Sequence, residues 1–372
     1  MEQIKPSQLG NTIGTYYSAK IPLFIYGGYG IGKSSIIKQK AELLAKEKGK
    51  EFVEWNKTSK EKKLEIIQEP SKFFVLIDER LSQYEPSDLK GLPKFDNGKE
   101  NIEWAVNLWL VFITKPDADG IVFFDEMNLA CPSVLASCYQ IFHDRIVNEN
   151  KISDDIFIIG AGNRLEDKCG VYEISEALKD RKGEVELVIS GDEWFEWALK
   201  SGISADIIAF LKFREDYLLK IDEDRQNKSI TPRGWERTSK LIENCNNQEL
   251  LKTIIASSIG EGVAIEFLAF LKLQDKIDLD EVLRSPELIR KFDEVDLKYS
   301  LISAISKRFT KDKKILPNVL KICKELEPEF SVLLLKFMIK DDKRYLTTNL
   351  PKDKLWKDEL SKEYGKYLFK QV

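Results

Sequence analysis

Residues 25–35 of the chain read Ile25-Tyr26-Gly27-Gly28-Tyr29-Gly30-Ile31-Gly32-Lys33-Ser34-Ser35. An apolar run, Ile21 to Tyr26, leads into the glycines and predicts a buried strand, whereas Ile36 to Lys46 has the pattern of a helix. Between them lies G-x-x-x-x-G-K-S, a loop that cradles phosphate groups. The glycines let backbone N–H groups converge on a phosphate, and the start of the helix adds positive potential. The sequence therefore predicts a phosphate site at this loop.

Two side chains of the loop have chemistry of their own. Lys33 would reach the β- and γ-phosphates of a nucleotide, and the hydroxyl of Ser34 would be a ligand of Mg²⁺. The predicted nucleotide-binding residues are Gly27, Gly28, Tyr29, Gly30, Ile31, Gly32, Lys33, Ser34 and Ser35.

The amino-acid composition limits the classes of protein to which the chain can belong. The chain has 372 residues, of which 43% are hydrophobic and 32% charged, as expected for a globular protein with two or three domains. Its formal net charge of -4 gives no overall attraction to nucleic acid. No run approaches about 18 apolar residues and the first residues lack a secretion signal, so we expect a cytoplasmic protein without a membrane segment.

Two residue types limit the chemistry. The chain has five cysteines, none in a C-x-x-C pair, and its single histidine is His143. A zinc site or a histidine-based catalytic pair would need more of these residues in closer spacing. We therefore expect neither, and we expect the cysteines to be reduced and mostly buried.

A second motif lies further along the chain, at Ile121-Val122-Phe123-Phe124-Asp125-Glu126. Four apolar residues followed by two acids predict a buried strand with carboxylates at its carboxyl end, the edge where α/β sheets bind ligands. Asp125 would hold Mg²⁺ directly or through water. Glu126 would orient or deprotonate the attacking water, because phosphoryl transfer depends mainly on positioning and charge stabilisation.

Two further strands are predicted on the same grounds. Residues 73–78 are apolar up to a final acid, and a polar, turn-forming loop is expected over residues 79–93. Residues 156–162 are followed by Asn163, which we expect beside the two acids, where it would hydrogen-bond the γ-phosphate or the attacking water. Residues 1–20 are predicted to be a short polar lead-in.

In this order the motifs resemble those of AAA+ ATPases, and specifically of the MoxR-like branch, which is related to midasin and dynein-type modules. The resemblance covers residues ~20–270. It also extends to a bacterial and phage subset often encoded beside von Willebrand factor A proteins. The matching stretches are residues 27–34, Pro-Ser-Asp-Leu-Lys-Gly at 86–91, Phe-Asp-Glu-Met-Asn-Leu-Ala at 124–130, Gly-Ala-Gly-Asn-Arg at 160–164 and Ile-Thr-Pro-Arg-Gly-Trp-Glu at 230–236.

The resemblance implies roles for individual residues. The lysine and serine of the phosphate loop match the nucleotide-binding motif, and Asp125 and Glu126 match the Mg²⁺ and catalytic carboxylates. Asn163 matches the family's first sensor. Arg233 matches the second sensor, which would contact the γ-phosphate from a helical lid. The implied cofactors are ATP and Mg²⁺.

One arginine of the family acts between subunits. Arg181 falls where the family places its arginine finger, which would reach the nucleotide of a neighbouring subunit. The family usually has Phe after this arginine, whereas Lys182 follows here. Arg164 and Arg145 therefore stay open as alternatives.

The second half of the chain is predicted to be helical. Apolar residues recur at spacings of three and four from Trp194 to Leu211 and again from Ala264 to Leu271. We predict three domains: an AAA+ α/β nucleotide-binding domain with a parallel sheet at 1–190, a helical lid at 191–272 and a C-terminal helical extension at 273–372.

The resemblance therefore implies a Mg²⁺-dependent, chaperone-type ATPase that remodels or activates a partner protein as a hexameric ring. By resemblance, the partner would be a von Willebrand factor A or metal-binding protein. One alternative is a nucleic-acid-associated motor or restriction-type NTPase subunit, for which the lysines at 57–63 and 311–314 would have to form a basic groove. Another is a scaffold that binds nucleotide and hydrolyses little.

Overall fold

A computed structural model describes residues 1–95, 102–164, 172, 182–222 and 228–369 of the chain. The chain divides into two units, Met1–Ser190 and Gly191–Val372. The first contains a parallel sheet with helices, and the second is built from helices.

Seven parallel strands form the central sheet of the first unit. Strands are numbered along the chain, and their order across the sheet is β1 (Glu2–Ile4), β11 (Gly183–Leu187), β2 (Leu23–Tyr26), β10 (Ile156–Gly162), β7 (Gly120–Asp125), β4 (Phe73–Arg80) and β3 (Glu51–Glu54). Among the described residues, two antiparallel strand pairs lie outside it, β5 (Leu92–Phe95) with β6 (Ile102–Ala105) and β8 (Ile146–Val147) with β9 (Asn150–Lys151). Because the seven strands are parallel, their carboxyl ends meet at one edge of the sheet.

Helices connect these strands and bury the sheet on both faces, as a parallel sheet requires. Alternate residues of a strand point to opposite faces, so Phe123 belongs to the core that includes Ile37, and Phe124 belongs to the core that includes Trp109. The helices of this unit are α1 (Pro6–Ala19), α2 (Lys33–Glu47), α3 (Lys60–Gln68), α4 (Pro86–Lys90), α5 (Leu108–Ile113) and α6 (Pro132–Tyr139).

The predicted fold class is confirmed: an α/β unit with a parallel sheet comes first, and helices follow. Two local predictions were wrong. Residues 1–20 form strand β1 and helix α1 instead of a polar lead-in, since Leu9 and Ile13 of α1 are fully buried against the sheet. Residues 79–93 contain the end of β4, helix α4 and the start of β5 rather than a continuous loop.

The second unit has a helical core of its own. Its helices are α7 (Gly191–Lys200), α8 (Ala205–Phe213), α9 (Pro232–Glu243), α10 (Gln248–Ile259), α11 (Glu261–Lys272), α12 (Leu279–Arg284), α13 (Val295–Lys311), α14 (Leu316–Glu325), α15 (Pro328–Asn349) and α16 (Ser361–Phe369). Asp206 of α8 accepts a hydrogen bond from Ser303 of α13 at 2.6 Å, so residues on both sides of position 272 share this unit. The predicted division at 272 stays a prediction. None of the helices in the described part of the chain is long and apolar enough to span a membrane.

Candidate nucleotide-binding site

The phosphate loop lies between β2 and α2, at the carboxyl edge of the sheet. Gly32 has φ 100° and accepts the first hydrogen bond of α2 from the backbone N–H of Ile36 at 3.0 Å. Gly27 donates its backbone N–H to the carbonyl of Gly162 at 3.2 Å, which ties the loop to the end of β10. A Cβ at Gly27 would lie 2.8 Å from the carbonyl oxygen of Leu187, so only glycine fits this approach.

Lys33 is held over the loop. Its side chain is buried, and Nζ donates hydrogen bonds to the carbonyl oxygens of Gly27 at 2.6 Å and Gly28 at 2.9 Å. A buried ammonium group beside a glycine-rich loop at a helix start can bind the phosphates that the loop would cradle.

Ser34 and Asp125 meet beside the loop although β2 and β7 are separated by β10. The Ser34 hydroxyl donates to Asp125 Oδ2 at 3.2 Å, and the backbone N–H of Glu126 donates to Asp125 Oδ1 at 2.9 Å. Hydroxyl and carboxylate oxygens suit Mg²⁺. No cluster of three His, Cys, Asp or Glu side chains in the described part of the chain could hold a metal ion. A Mg²⁺ ion at this pair would therefore need other oxygens, such as those of phosphates and waters.

Glu126 follows β7 in an unusual backbone conformation. Its φ of 51° and ψ of 32° lie in the left-handed region, which residues other than glycine enter at a cost. Ser82 donates its hydroxyl to Glu126 Oε2 at 3.4 Å. Ser82 lies in the turn that follows β4, within the segment predicted to be a loop, and no sequence motif identified it as a site residue.

Asn163 directly follows β10, between the ends of β2 and β7. Its backbone is fixed on both sides by Asn128, whose Nδ2 donates to the Asn163 carbonyl at 2.7 Å and whose Oδ1 accepts from the Asn163 N–H at 3.1 Å. A Cβ at Gly162 would lie 2.4 Å from Asn128 Oδ1. The side-chain amide of Asn163 has no hydrogen-bond partner among the described residues.

The predicted arginines differ in their surroundings. Arg181 lies outside the described residues. Arg145 donates to the carbonyls of Ser153 at 2.6 Å and Ile156 at 2.8 Å, and Arg164 forms an ion pair with Glu186 at 3.0 Å. Both alternatives to Arg181 therefore have structural partners within the first unit.

Arg233 belongs to the second unit. It is the second residue of α9, whose cap is Thr231, and its side chain is exposed. Trp235, two residues further along the same helix, is fully buried and donates Nε1–H to the Tyr217 carbonyl at 2.7 Å. Arg233 has no ion pair or hydrogen bond within the described residues, and its role as second sensor stays a prediction.

Comparison with known proteins gives a weak fold-level similarity. No model of a known protein family matches the chain, and no curated protein does. A RuvB variant from Thermotoga maritima is 13% identical, with 77% of this chain and 76% of that chain covered and a TM-score of 0.36. NtrX from Brucella abortus in complex with ADP is 15% identical, with 85% of this chain and 67% of that chain covered and a TM-score of 0.36.

ORC2 from Aeropyrum pernix, in ADPNP and ADP complexes, is 14% identical, with 76% of this chain and 71% of that chain covered and a TM-score of 0.35. Scores this low carry no argument about activity. The case for a function therefore rests on the residues at the sheet edge.

Proposed function

We propose that the chain is a Mg²⁺-dependent ATPase of the AAA+ class. One observation carries the proposal: Ser34 Oγ, from the phosphate loop, lies 3.2 Å from Asp125 Oδ2, at the end of a strand two positions away in the sheet. A serine that starts a helix after a glycine-rich loop and an acid at a strand end are the pair that holds the metal of a bound nucleoside triphosphate.

The loop would bind the phosphates of ATP. Backbone N–H groups from Gly27 to Gly32 and the start of α2 would donate to phosphate oxygens, and Lys33 would exchange its two carbonyl partners for them. Mg²⁺, held by Ser34 and Asp125, would supply positive charge to the phosphate oxygens.

Glu126 would act on the water that attacks the γ-phosphate. Its carboxylate would accept a proton from that water, and the hydrogen bond from Ser82 would help to hold it in place. The Asn163 amide would orient the water or the γ-phosphate, because Asn128 fixes the Asn163 backbone at the sheet edge.

The finer identity of the ATPase rests on the sequence resemblance. We propose a MoxR-like protein that works in the cytoplasm as a hexameric ring and remodels a partner, of von Willebrand factor A type. In this ring Arg181 would reach the nucleotide of the neighbouring subunit, and Arg233 would contact the γ-phosphate from the helical unit.

Phosphate release from ATP and Mg²⁺, measured against protein concentration alongside mass by light scattering, tests the ring. Release per subunit is expected to rise as the ring forms, and Arg181→Ala is expected to abolish release while nucleotide binding persists. Arg290→Ala, which removes an exposed arginine paired with Glu325, is the control. Equal activity of a monomer, or a silent Arg181→Ala, would refute a site shared between subunits.

The nucleic-acid alternative depends on the lysine runs, and acids offset part of their charge. Lys57 pairs with Glu54 at 2.7 Å, Lys62 with Glu65 at 2.8 Å and Lys313 with Asp342 at 3.9 Å, so neighbouring acids offset their charge. We expect no salt-dependent binding of single- or double-stranded DNA, as measured by fluorescence anisotropy. Tight, salt-dependent binding would favour a nucleic-acid motor instead.

A further inference from the structure

Asp78 is a half-buried carboxylate, and one of its two oxygens has no hydrogen-bond donor within the described residues. It lies near the carboxyl end of β4, two residues before that strand ends beside Asp125 of β7. Its Oδ1 is shielded from solvent and has no hydrogen-bond partner among the described residues. Burial and then the charge of Asp125 raise the pKa of Asp78 to about 6, so it is still mostly ionised at neutral pH. An enclosed charge is costly unless a cation or donors compensate it.

The nearby lysines do not compensate Asp78. Lys38 and Lys57 line the same cleft, but both give their ammonium groups to Glu54, at 2.8 Å and 2.7 Å. Neither makes an ion pair with Asp78 within the described residues. The lysines of this cleft are therefore already matched by another acid.

The nearest amide and guanidinium groups leave Asp78 unmatched as well. Asn56 Oδ1 accepts the backbone N–H of Asp78 at 3.0 Å, and Asn56 Nδ2 donates to Glu79 at 3.3 Å, so its donor points to the neighbouring acid. Arg80 lies on the same face of β4 as Asp78 and its charge lowers the pKa of that carboxyl. In the described structure it forms no ion pair with Asp78.

The cleft that Asp78 lines also contains Ser34, one of the two predicted metal ligands. It has a volume of about 210 Å³, and its walls include Ser34 and Ser35 from the first turn of α2 and Phe123 from β7. Ser34 also donates its hydroxyl to Asp125. The cleft is thus lined both by the serine expected to bind Mg²⁺ and by the half-buried carboxylate of Asp78.

We propose that Asp78 is a positioning residue for the nucleotide-bound metal, whose carboxylate accepts a hydrogen bond from a water on the Mg²⁺ held by Ser34 and Asp125. This inference rests on the proposed function. Mg²⁺ keeps several of its waters when it binds to proteins, and carboxylates that bond to a metal's ligands orient them and raise affinity for the metal. The ion would also add positive charge near Asp78, which forms no ion pair with a described residue.

The test is the affinity of the full chain for N-methylanthraniloyl-ADP, measured by fluorescence with Mg²⁺ and with EDTA. Asp78→Asn is expected to weaken binding about tenfold with Mg²⁺. With EDTA its affinity is expected to be unchanged or higher, because a negative charge near the phosphates is removed. Glu79→Gln is the matched control: the side chain is next in sequence, faces the other side of β4, and accepts hydrogen bonds from Tyr84 and Asn56. Its metal dependence should equal that of the wild type.

Each outcome separates the two claims. If the wild type binds the nucleotide more tightly with Mg²⁺ and Asp78→Asn keeps the full metal dependence, the role of Asp78 is refuted and the ATPase proposal stands. If the wild type binds no nucleotide in either buffer, both fail.

Asp78→Asn should also unfold at an equal or higher urea concentration without ligand, since an uncompensated charge is lost. If Asp78→Asn is unfolded, the carboxylate is required for folding, and the inference is overturned.

Discussion

Glu126 combines a proposed catalytic carboxylate with a strained backbone. Its left-handed conformation, φ 51° and ψ 32°, costs an L-residue about 1 kcal/mol relative to ordinary backbone regions. The conformation comes directly after β7 and places the carboxylate within reach of Ser82 while the backbone N–H bonds Asp125. Strain at such a position is common where geometry serves function.

Replacement of Glu126 by glycine and by alanine separates the strain from the charge. Both variants lack the carboxylate, so they differ chiefly in the cost of the left-handed backbone. We expect Glu126→Gly to be more stable than Glu126→Ala by about 1 kcal/mol in urea unfolding, although glycine is usually the less stable choice. An alanine variant at least as stable as the glycine variant would show that the backbone at this position carries no strain.

Sequence motifs predict residues that would act on a ligand, and they miss residues that act on other residues. Lys33, Ser34 and Asp125 were predicted because phosphate and metal binding demand those groups at fixed spacing from glycines or a strand end. Ser82 and Asn128 were not, because their partners, Glu126 and Asn163, come from distant parts of the chain. Their roles depend on which strand ends the fold brings together.

At the scale of elements, the pairing of β4 with β7 sets the site, because β7 carries Asp125 and Glu126. The two strands approach closely at Gly120, where a Cβ would lie 2.0 Å from the carbonyl oxygen of Val75. Since that contact is with backbone, the strands would have to move apart to admit a methyl group.

Gly120→Ala is therefore expected to lower the free energy of unfolding by about 3 kcal/mol. Gly10→Ala is the matched control, because a Cβ at Gly10 meets nothing within 4 Å and the position lies inside α1. That substitution should raise the free energy of unfolding by about 1 kcal/mol. The two variants are compared by urea unfolding followed by circular dichroism. Similar effects of both alanines would contradict the close β4–β7 packing.

The elements that carry motifs were predictable, and several that carry none were not. The strand before the phosphate loop, the strand before Asp125 and the strand before Asn163 are apolar runs with clear ends. Strand β11 escaped prediction because Glu184 and Glu186 alternate with its apolar residues, and their charges are matched by Lys182 and Arg164 only in the folded protein. Five residues in which glutamates alternate with apolar side chains do not indicate a buried strand unless the cations that pair with the glutamates are known.

At the scale of the whole molecule, each of the two units has its own buried polar and apolar core. In the second unit the buried Asp206 accepts from Gln274 at 2.9 Å and from Ser303 at 2.6 Å, and it pairs with Lys307 at 2.6 Å. These contacts join α8, the turn after α11, and α13. The residues proposed to bind phosphate and Mg²⁺ all lie in Met1–Ser190.

Asp206→Ala is expected to destabilise the protein without changing its affinity for ADP. The free energy of unfolding should fall by about 2 kcal/mol, less than for a fully buried pair because Lys307 reaches solvent. Urea unfolding measures the loss, and fluorescence titration at 25 °C, where the variant stays folded, measures ADP affinity. A large loss of ADP affinity in the folded variant would show that the phosphate site depends on the second unit.

We propose that this sheet edge hydrolyses ATP and that Glu126 is the group that acts on the attacking water. Phosphate release and ATP binding, measured on the same samples of wild type and Glu126→Gln, test it most directly. We predict that the variant binds ATP as the wild type does and releases phosphate about 100-fold more slowly or worse. Glu261→Gln, at an exposed acid paired with Lys252 in the second unit, should match the wild type in both measurements. Phosphate release by Glu126→Gln at the wild-type rate would contradict the account.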